Sequence, residues 1–238
     1  MTVLCILQAR VSSTRLPGKV LKPILGEPML ARQIERIQRA ERVNALTVAT
    51  SDLPSDDGVA ALCERLGVDS YRGSLDDVLD RFYQAARRSG SSHVMRLTGD
   101  CPLTDPAILD ALVELHLAGD FDYSSNVEER TYPDGLDAEI FRYDLLVQAW
   151  QEATSPYERE HVTPFMRQAG SGSRGVLKDR IDRSNLRWTV DFPEDFAFVS
   201  RVFEELYPGD PGFGAEDVHR LLLDHPELAA VNANRVAS

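Results

Sequence analysis

Arg10, Arg15 and Lys19 fall within one short stretch, "LQARVSSTRLPGKVLKPILG", which runs from Leu7 to Gly26. Ser12, Ser13 and Thr14 stand among them, and Gly18 precedes the lysine. A phosphate chain needs fixed positive charge and several N–H or O–H donors at close range. Arginine forks suit two phosphate oxygens, lysine acts as a point charge, and glycine lets the backbone come close. The stretch therefore has the makings of a phosphate-binding loop, with a solvated surface loop as the plain alternative. It is not a Walker A loop, because GxxxxGK[ST] is absent, and it is not GxGxxG.

Two aspartates could bring a divalent cation to such a phosphate chain. "RLTGDCPLTDP" sets Asp100 directly after a strand-like run, and "LRWTVDFPEDF" does the same for Asp191. Mg²⁺ prefers oxygen ligands and commonly takes one or two carboxylates, with phosphates and waters completing the set. Either aspartate could instead cap the helix that follows it. Further along, Asp137 and Glu139 alternate in "YPDGLDAEIF" and would share one face of a strand. They could hold acceptor hydroxyls or an amine, or simply face water. Arg159 and His161 in "YEREHVTPFM" could meet an acceptor carboxylate or phosphate, or form ion pairs on a helix surface. Arg72 sits at a strand-to-helix turn in "RGSLDDVLDRF". Arg96 lies just before the strand end at Thr98, as a nucleotide contact or a paired structural charge.

These residues need elements to carry them. "TVLCILQ" is a short continuous apolar run, as expected of a parallel strand buried on both faces. "PMLARQIERIQRA" puts Met29, Leu30, Ile34 and Ile37 on one helical face. "ALTVAT" reads as a strand, "PSDDGVAALCERLG" as a helix closed by Gly67, and "VDSYRG" as a strand. The next helix begins near Ser74, with Asp77 at the capping-box position. "HVMRLTGD" is a strand, and "DPAILDALVELHLAG" is a helix opening near Asp105. This alternation up to Gly119 is the pattern of a doubly wound sheet. The second half is less regular: "DAEIF" reads as a strand, "RYDLLVQAWQEA" and "YEREHVTPFMRQA" as helices, and "GVLKD" with "LRWTV" as a hairpin or as two strands joined by polar "RIDRSN". "GSGSRG", Gly170 to Gly175, reads as a turn, and two amphipathic helices close the chain. Residues 1–238 form one domain in this reading. Ligands of open α/β sheets bind beyond the carboxyl ends of the strands. That rule adds Thr50 and Ser51, at the end of "ALTVAT", to the candidates.

Composition narrows the partner. The chain has 238 residues, 43% hydrophobic and 27% charged, enough for a large core. Lys and Arg total 26 against 38 Asp and Glu, a formal charge of −12. That balance argues against a nucleic-acid binder, which needs a broad positive surface. Cys5, Cys63 and Cys101 show no CxxC pairing, so neither a zinc site nor a disulfide framework is expected. No apolar run approaches the ~18 residues of a membrane span, and a cytoplasmic location is expected.

"LQARVSSTRLPGKVLKPILGEPML" resembles the N-terminal nucleotide-binding signature of the cytidylyltransferase family, which includes the sialic acid and Kdo activating enzymes. The resemblance implies a Rossmann-like, GT-A-type nucleotide-diphospho-sugar transferase fold with a mostly parallel central sheet and a small irregular insertion. It implies that Arg10, Ser12, Ser13, Arg15 and Lys19 surround CTP, and that backbone near Leu7 and Ala9 meets the base. "GDCP" and "VDFPED" resemble the elements that carry the Mg²⁺ ligands, here Asp100 and Asp191. Cys101 stands where Kdo-type enzymes commonly have an acidic residue, a departure that fits the spore-coat polysaccharide branch. The implied reaction transfers CMP from CTP to an acidic sugar or a sugar or polyol phosphate, with Arg15, Lys19 and Asp100 catalytic. A homodimer is implied as well. The rivals are a GT-A-like glycosyltransferase, a nucleotidyltransferase using another NTP, and a non-catalytic nucleotide-binding protein. The first usually carries a D-x-D motif that "GDCP" lacks.

Overall fold

The computed structural model describes residues 1–168 and 172–232. Its first strand, β1 (Val3–Gln8), is buried from Val3 to Leu7. A loop and a tight hairpin, β2 (Pro23–Ile24) and β3 (Glu27–Pro28), lead to α1 (Met29–Ile37). The hairpin turns at Leu25 and Gly26, both at positive φ (49° and 79°), as a two-residue turn of this hand requires. Then come β4 (Ala45–Ser51), α2 (Asp57–Leu66), β5 (Asp69–Gly73), α3 (Val78–Ser89), β6 (His93–Thr98) and α4 (Pro106–Ala118). The remaining elements are β7 (Tyr123–Ser125), β8 (Glu139–Arg142), α5 (Tyr143–Glu152), α6 (Pro156–His161), β9 (Arg174–Val176), α7 (Pro193–Leu206), α8 (Ala215–Asp224) and α9 (Pro226–Ala230).

The central sheet has the order β5-β4-β1-β6-β8-β7-β9. β1 pairs in parallel with both β4 and β6, and β4 with β5. β8 lies antiparallel to β6 and to β7, and β7 is parallel to β9, so β8 alone runs against the rest. Successive residues of β1 feed opposite cores, as strand geometry requires. Val3, Cys5 and Leu7 join α1, α2, α4, α7 and α8 on one face, through side chains such as Ile34, Leu62, Leu112, Phe203 and Leu222. Leu4 and Ile6 join α3 and α5 on the other, through Phe82 and Leu146. Fully burying each such side chain stabilises the fold by about 1.5–3 kcal/mol. Cys5, Cys63 and Cys101 are free and buried. Burial pushes all three thiols up, that of Cys63 to about 11.

The α/β class and the mostly parallel sheet are those expected from the sequence, and the differences lie in local chemistry. α3 is capped by Asp77, which accepts from the Asp80 N–H at 2.9 Å, rather than by Ser74. α6 stops at His161, short of the helix expected to run on to Ala169, a residue outside the described ones. Val162 instead sits at φ 69°, ψ −56°, and the Thr163 N–H donates to the His161 carbonyl at 2.8 Å, which is a γ-turn. Pro164 disfavours helix at Thr163 as well. The expected hairpin of "GVLKD" with "LRWTV" does not form. β9 pairs with β7, and residues 186–190 spend their backbone groups on two loops. The Trp188 and Thr189 N–H groups donate to the Asp134 carbonyl, and the Val190 N–H to that of Asp100. Gly170 and Ser171 of the expected "GSGSRG" turn lie outside the described residues.

Candidate active site

Where β1 ends, the chain is held on both sides. The Ala9 N–H donates to the Ala49 carbonyl at 3.1 Å, and the Gly99 N–H to the Gln8 carbonyl at 2.8 Å. Gly99 is needed for that approach, because a Cβ there would meet the Ala9 Cβ at 3.0 Å and the Gln8 oxygen at 3.1 Å. The loop after β1 then turns over this edge. The Val11 N–H is fixed by Asp56 at 2.7 Å, and the Gly18 N–H returns to the Val11 carbonyl at 3.0 Å. Gly18 stands at φ 71°, left-handed backbone open to glycine, and opens a short 3-10 turn over Lys19–Leu21.

That turn drives Lys19 inward. Its ammonium donates to the Val190 carbonyl at 2.6 Å and to Asp191 Oδ1 at 3.0 Å, and lies 3.5 Å from Asp100 Oδ2. Arg15 reaches the same Asp191 oxygen at 2.8 Å and lies over the Phe192 ring. Arg187 takes the other oxygen at 3.0 Å. Burial opposes ionisation of Asp191, but Lys19, Arg187 and Arg15 outweigh it and hold the carboxyl below the usual carboxylate range. Asp100 accepts from the Thr98 hydroxyl at 2.5 Å. Neither aspartate is a helix cap. Asp105 caps α4, and Asp195 meets the first N–H groups at the start of α7.

Arg15, Lys19, Asp100 and Asp191 line a cleft of about 220 Å³ with Ala9, Arg10, Ser12, Ser13 and Thr98. Of the residues singled out in the sequence, Ala9, Arg10, Ser12, Ser13, Arg15, Lys19, Asp100 and Asp191 thus meet at one place. Leu7 is buried in the core just behind. Among the described residues no three His, Cys, Asp or Glu side chains cluster as a metal cage. Two carboxylates sharing one ammonium do fit Mg²⁺, which leaves most of its positions to phosphates and water. The donor set suits an ion that comes with a nucleotide rather than one the protein cages alone.

Several other candidates sit elsewhere, and all but Thr50, whose buried hydroxyl has no hydrogen-bond partner among the described residues, are engaged by the protein itself. Arg96 forms a buried ion pair with Glu139, which also accepts from the Tyr123 hydroxyl at 2.6 Å. Burial opposes that carboxylate too, and Arg96 and Tyr123 keep it below its usual range. Asp137 takes both ends of the Arg130 fork, at 2.6 and 2.8 Å, and lies just before β8 rather than in it. Arg159 grips Asp77 through Nε and NH2 and donates to the Trp150 carbonyl, tying α6 to α3 and α5. Arg72 donates to the carbonyls of Ser51 and Leu53 and pairs with Asp57. Ser51 bonds Asp56, and Thr50 is fully buried outside the cleft.

A second hollow of about 120 Å³ opens beside the cleft, sharing Gln8, Ala9 and Arg10 with it and adding Val78, Arg81, Glu160 and His161. Among the described residues two polar atoms on its lining side chains are buried without a hydrogen-bond partner, the acceptor Gln8 Oε1 and the donor Arg81 Nε. In the sequence Gln8 stood out only as the strand end that opens the basic loop, with no role of its own, and Arg81 drew no notice because it looks like any charge on an amphipathic helix.

Four matches to known proteins bear on this site. A family model described as cytidylyltransferase matches residues 4–187. The spore coat polysaccharide biosynthesis protein SpsF of Bacillus subtilis is 32% identical over 237 residues, covering 95% of this chain and 96% of SpsF. A cytidylyltransferase structure from Leptospira borgpetersenii superposes with a TM-score of 0.92 at 31% identity, covering 100% of this chain and 99% of the other. A CMP:2-keto-3-deoxy-manno-octonic acid synthetase complexed with CTP gives a TM-score of 0.65 at 19% identity over 86% of this chain and 99% of that one, a likeness of fold.

Proposed function

The chain belongs to the cytidylyltransferase family, and from that premise we propose that it transfers CMP from CTP to a small acidic sugar or a sugar or polyol phosphate, with release of pyrophosphate. The observation that carries this reading is the meeting of Arg10, Arg15, Lys19, Asp100 and Asp191 on one cleft. An acceptor oxygen attacks the α-phosphorus, and the bond to the β-phosphate oxygen breaks in line. The bonding pair leaves on pyrophosphate. A phosphate or carboxylate acceptor has no proton to lose; a sugar hydroxyl must release one to water, and a metal held by Asp100 and Asp191 would ease that loss by lowering the hydroxyl pKa. Positioning and charge neutralisation are then the main work.

In this proposal Arg10 and the Ser12 and Ser13 hydroxyls hold the triphosphate, while Lys19 and Arg15 stabilise the charge that builds on the leaving pyrophosphate. Mg²⁺ held by Asp100 and Asp191 would add positive charge at the α-phosphate oxygens. The neighbouring hollow supports a cytosine base. Its amino group is a donor that suits Gln8 Oε1, and its O2 and N3 are acceptors that suit Arg81 Nε. SpsF, by its description, serves spore-coat polysaccharide biosynthesis, and synthesis of a surface glycan precursor is the setting we propose here. We also propose a homodimer, following the family resemblance, and a cytoplasmic location, where CTP is made. No helix among the described residues is long and apolar enough to cross a membrane.

Pyrophosphate release with each of the four NTPs, across a panel of acidic sugars and sugar or polyol phosphates, tests this directly. CTP should be preferred, and Gln8→Ala should narrow its lead over UTP by about tenfold, the worth of one polar base contact of 1–3 kcal/mol. Equal turnover of all four nucleotides by the unaltered protein would overturn the cytidylyl reading.

A further inference from the structure

Asp191 is held from behind as well as from the cleft. Asp195, fully buried, accepts five hydrogen bonds. Its Oδ2 takes the backbone N–H of Asp191 at 2.9 Å, that of Phe192 at 3.0 Å and Arg187 NH2 at 3.1 Å. Its Oδ1 takes Arg187 Nε at 3.1 Å and the side-chain amide of Asn232 at 3.1 Å. That same amide donates to the Arg187 carbonyl at 2.9 Å. Arg187 then spans three carboxylates: Asp195, Asp134 at 3.0 Å and Asp191 Oδ2 at 3.0 Å. The result is directional. Asp191 Oδ2 is turned to Arg187, and Oδ1 is left to face Lys19 and Arg15 in the cleft.

We infer that Asn232, acting through Asp195 and Arg187, is a positioning residue that sets the orientation of Asp191 in the nucleotide site. This rests on the proposed Mg–CTP reading of that site. Asn232 follows α9, 37 residues beyond Asp195, and lies past the end of the family match at 187. It is buried, so its amide meets these two partners rather than bulk water. Packing alone does not fix it. A cavity of about 200 Å³, lined by Arg187, Trp188, Phe198, Leu222, Ala229 and Asn232, borders the chain of bonds. Side chains beside such a space can shift when a bond is removed, because the vacated contacts are not refilled by neighbours. Without the amide, Asp195 keeps its backbone bonds, but the Arg187 fork loses the strap across its own carbonyl.

The test compares the full-length protein with Asn232→Ala and Asn232→Asp, the second placing a carboxylate against Asp195. Calorimetric binding of CTP is measured across a Mg²⁺ titration, alongside kcat, the acceptor KM and thermal melting. Partners one layer behind a metal ligand typically change metal affinity or activity by about 10- to 100-fold. The expected result is a rise of about tenfold in half-saturating Mg²⁺ for CTP binding and a matching fall in kcat, with the acceptor KM unchanged. Asn232→Asp should exceed Asn232→Ala. If Asn232→Ala melts below the assay temperature, Asn232→Ser, which keeps a hydroxyl donor, is read in its place. Wild-type Mg²⁺ half-saturation in a folded variant, or a loss of stability with that value unmoved, overturns the positioning role. Failure of the unaltered protein to bind CTP at any Mg²⁺ concentration would overturn the role together with the underlying site reading.

Discussion

Two ionic clusters, one carried by loops and one by paired strands, behave differently. At the end of β1 and β6, Lys19, Arg15, Asp100 and Asp191 border open space, and the Arg15 side chain is 45% exposed. Within the sheet, Arg96 and Glu139 stand opposite each other in register on β6 and β8, with side chains 16% and 4% exposed. Both clusters pair cations with carboxylates. In the first, the cations retain a side that a ligand can take. In the second, the protein supplies nearly every partner. Charge type does not separate a binding arginine from a structural one; the room left around it does.

Breaking the closed pair should have the largest effect, and it should fall on stability. Glu139→Gln leaves the Arg96 charge buried without its counter-ion, at a cost of about 3 kcal/mol or more. Chemical denaturation should show that loss while CTP affinity of the folded fraction is retained. A variant of full stability and weak CTP binding would move Glu139 into the site. Opening the other cluster should do the reverse. In Lys19→Ala, Asp191 keeps Arg15 and Arg187, so the fold should persist. kcat/KM should fall by about 100- to 1000-fold, as when a preorganised electrostatic donor is removed. A near-normal rate would take Lys19 out of the reaction.

A third buried group, in no ion pair among the described residues, sharpens the contrast. His116 bonds the Ser124 hydroxyl at 2.9 Å and meets the His93 ring edge-on. Burial, with smaller contributions from His93 and Arg142, lowers it from 6.5 to about 4, against the opposing pull of Asp122 and Asp120. The unfolded chain therefore binds a proton between these values that the folded chain refuses. Stability from this group is complete above pH 6.5, falls as pH drops through the window, and is gone below about 4. The swing is on the order of 3 kcal/mol. Urea midpoints across that range should show it, and His116→Gln should flatten the slope. An unchanged slope would mean that His116 is not the titrating group.

The first half of the fold was legible because parallel strands covered on both faces must be apolar runs, and the helices between them carry clear stripes. Past Gly119 the signal thins. β7 and β9 have three residues each, too few for a period, and residues 186–190 look like a strand while bonding to loops. The basic loop and Asp100 were visible because they follow β1 and β6, and Asp191 because it follows an apolar run that reads as a strand without being one. Arg96, Glu139, Asp137, Arg159 and Arg72 were ambiguous for one reason: their partners come from other elements, and strand register and helix docking are not written locally. Asn232 carried no signal, since an asparagine near the end of a chain gains meaning only from what it touches.

The burial of Cys5, Cys63 and Cys101 has a practical consequence. Few of these thiols are exposed or ionised near neutral pH, so alkylating reagents should pass them by. A cysteine introduced at Tyr157, on the exposed side of α6 beside the second hollow, would then be the reactive thiol of the folded protein. A fluorophore attached there could report nucleotide binding without first removing a native cysteine.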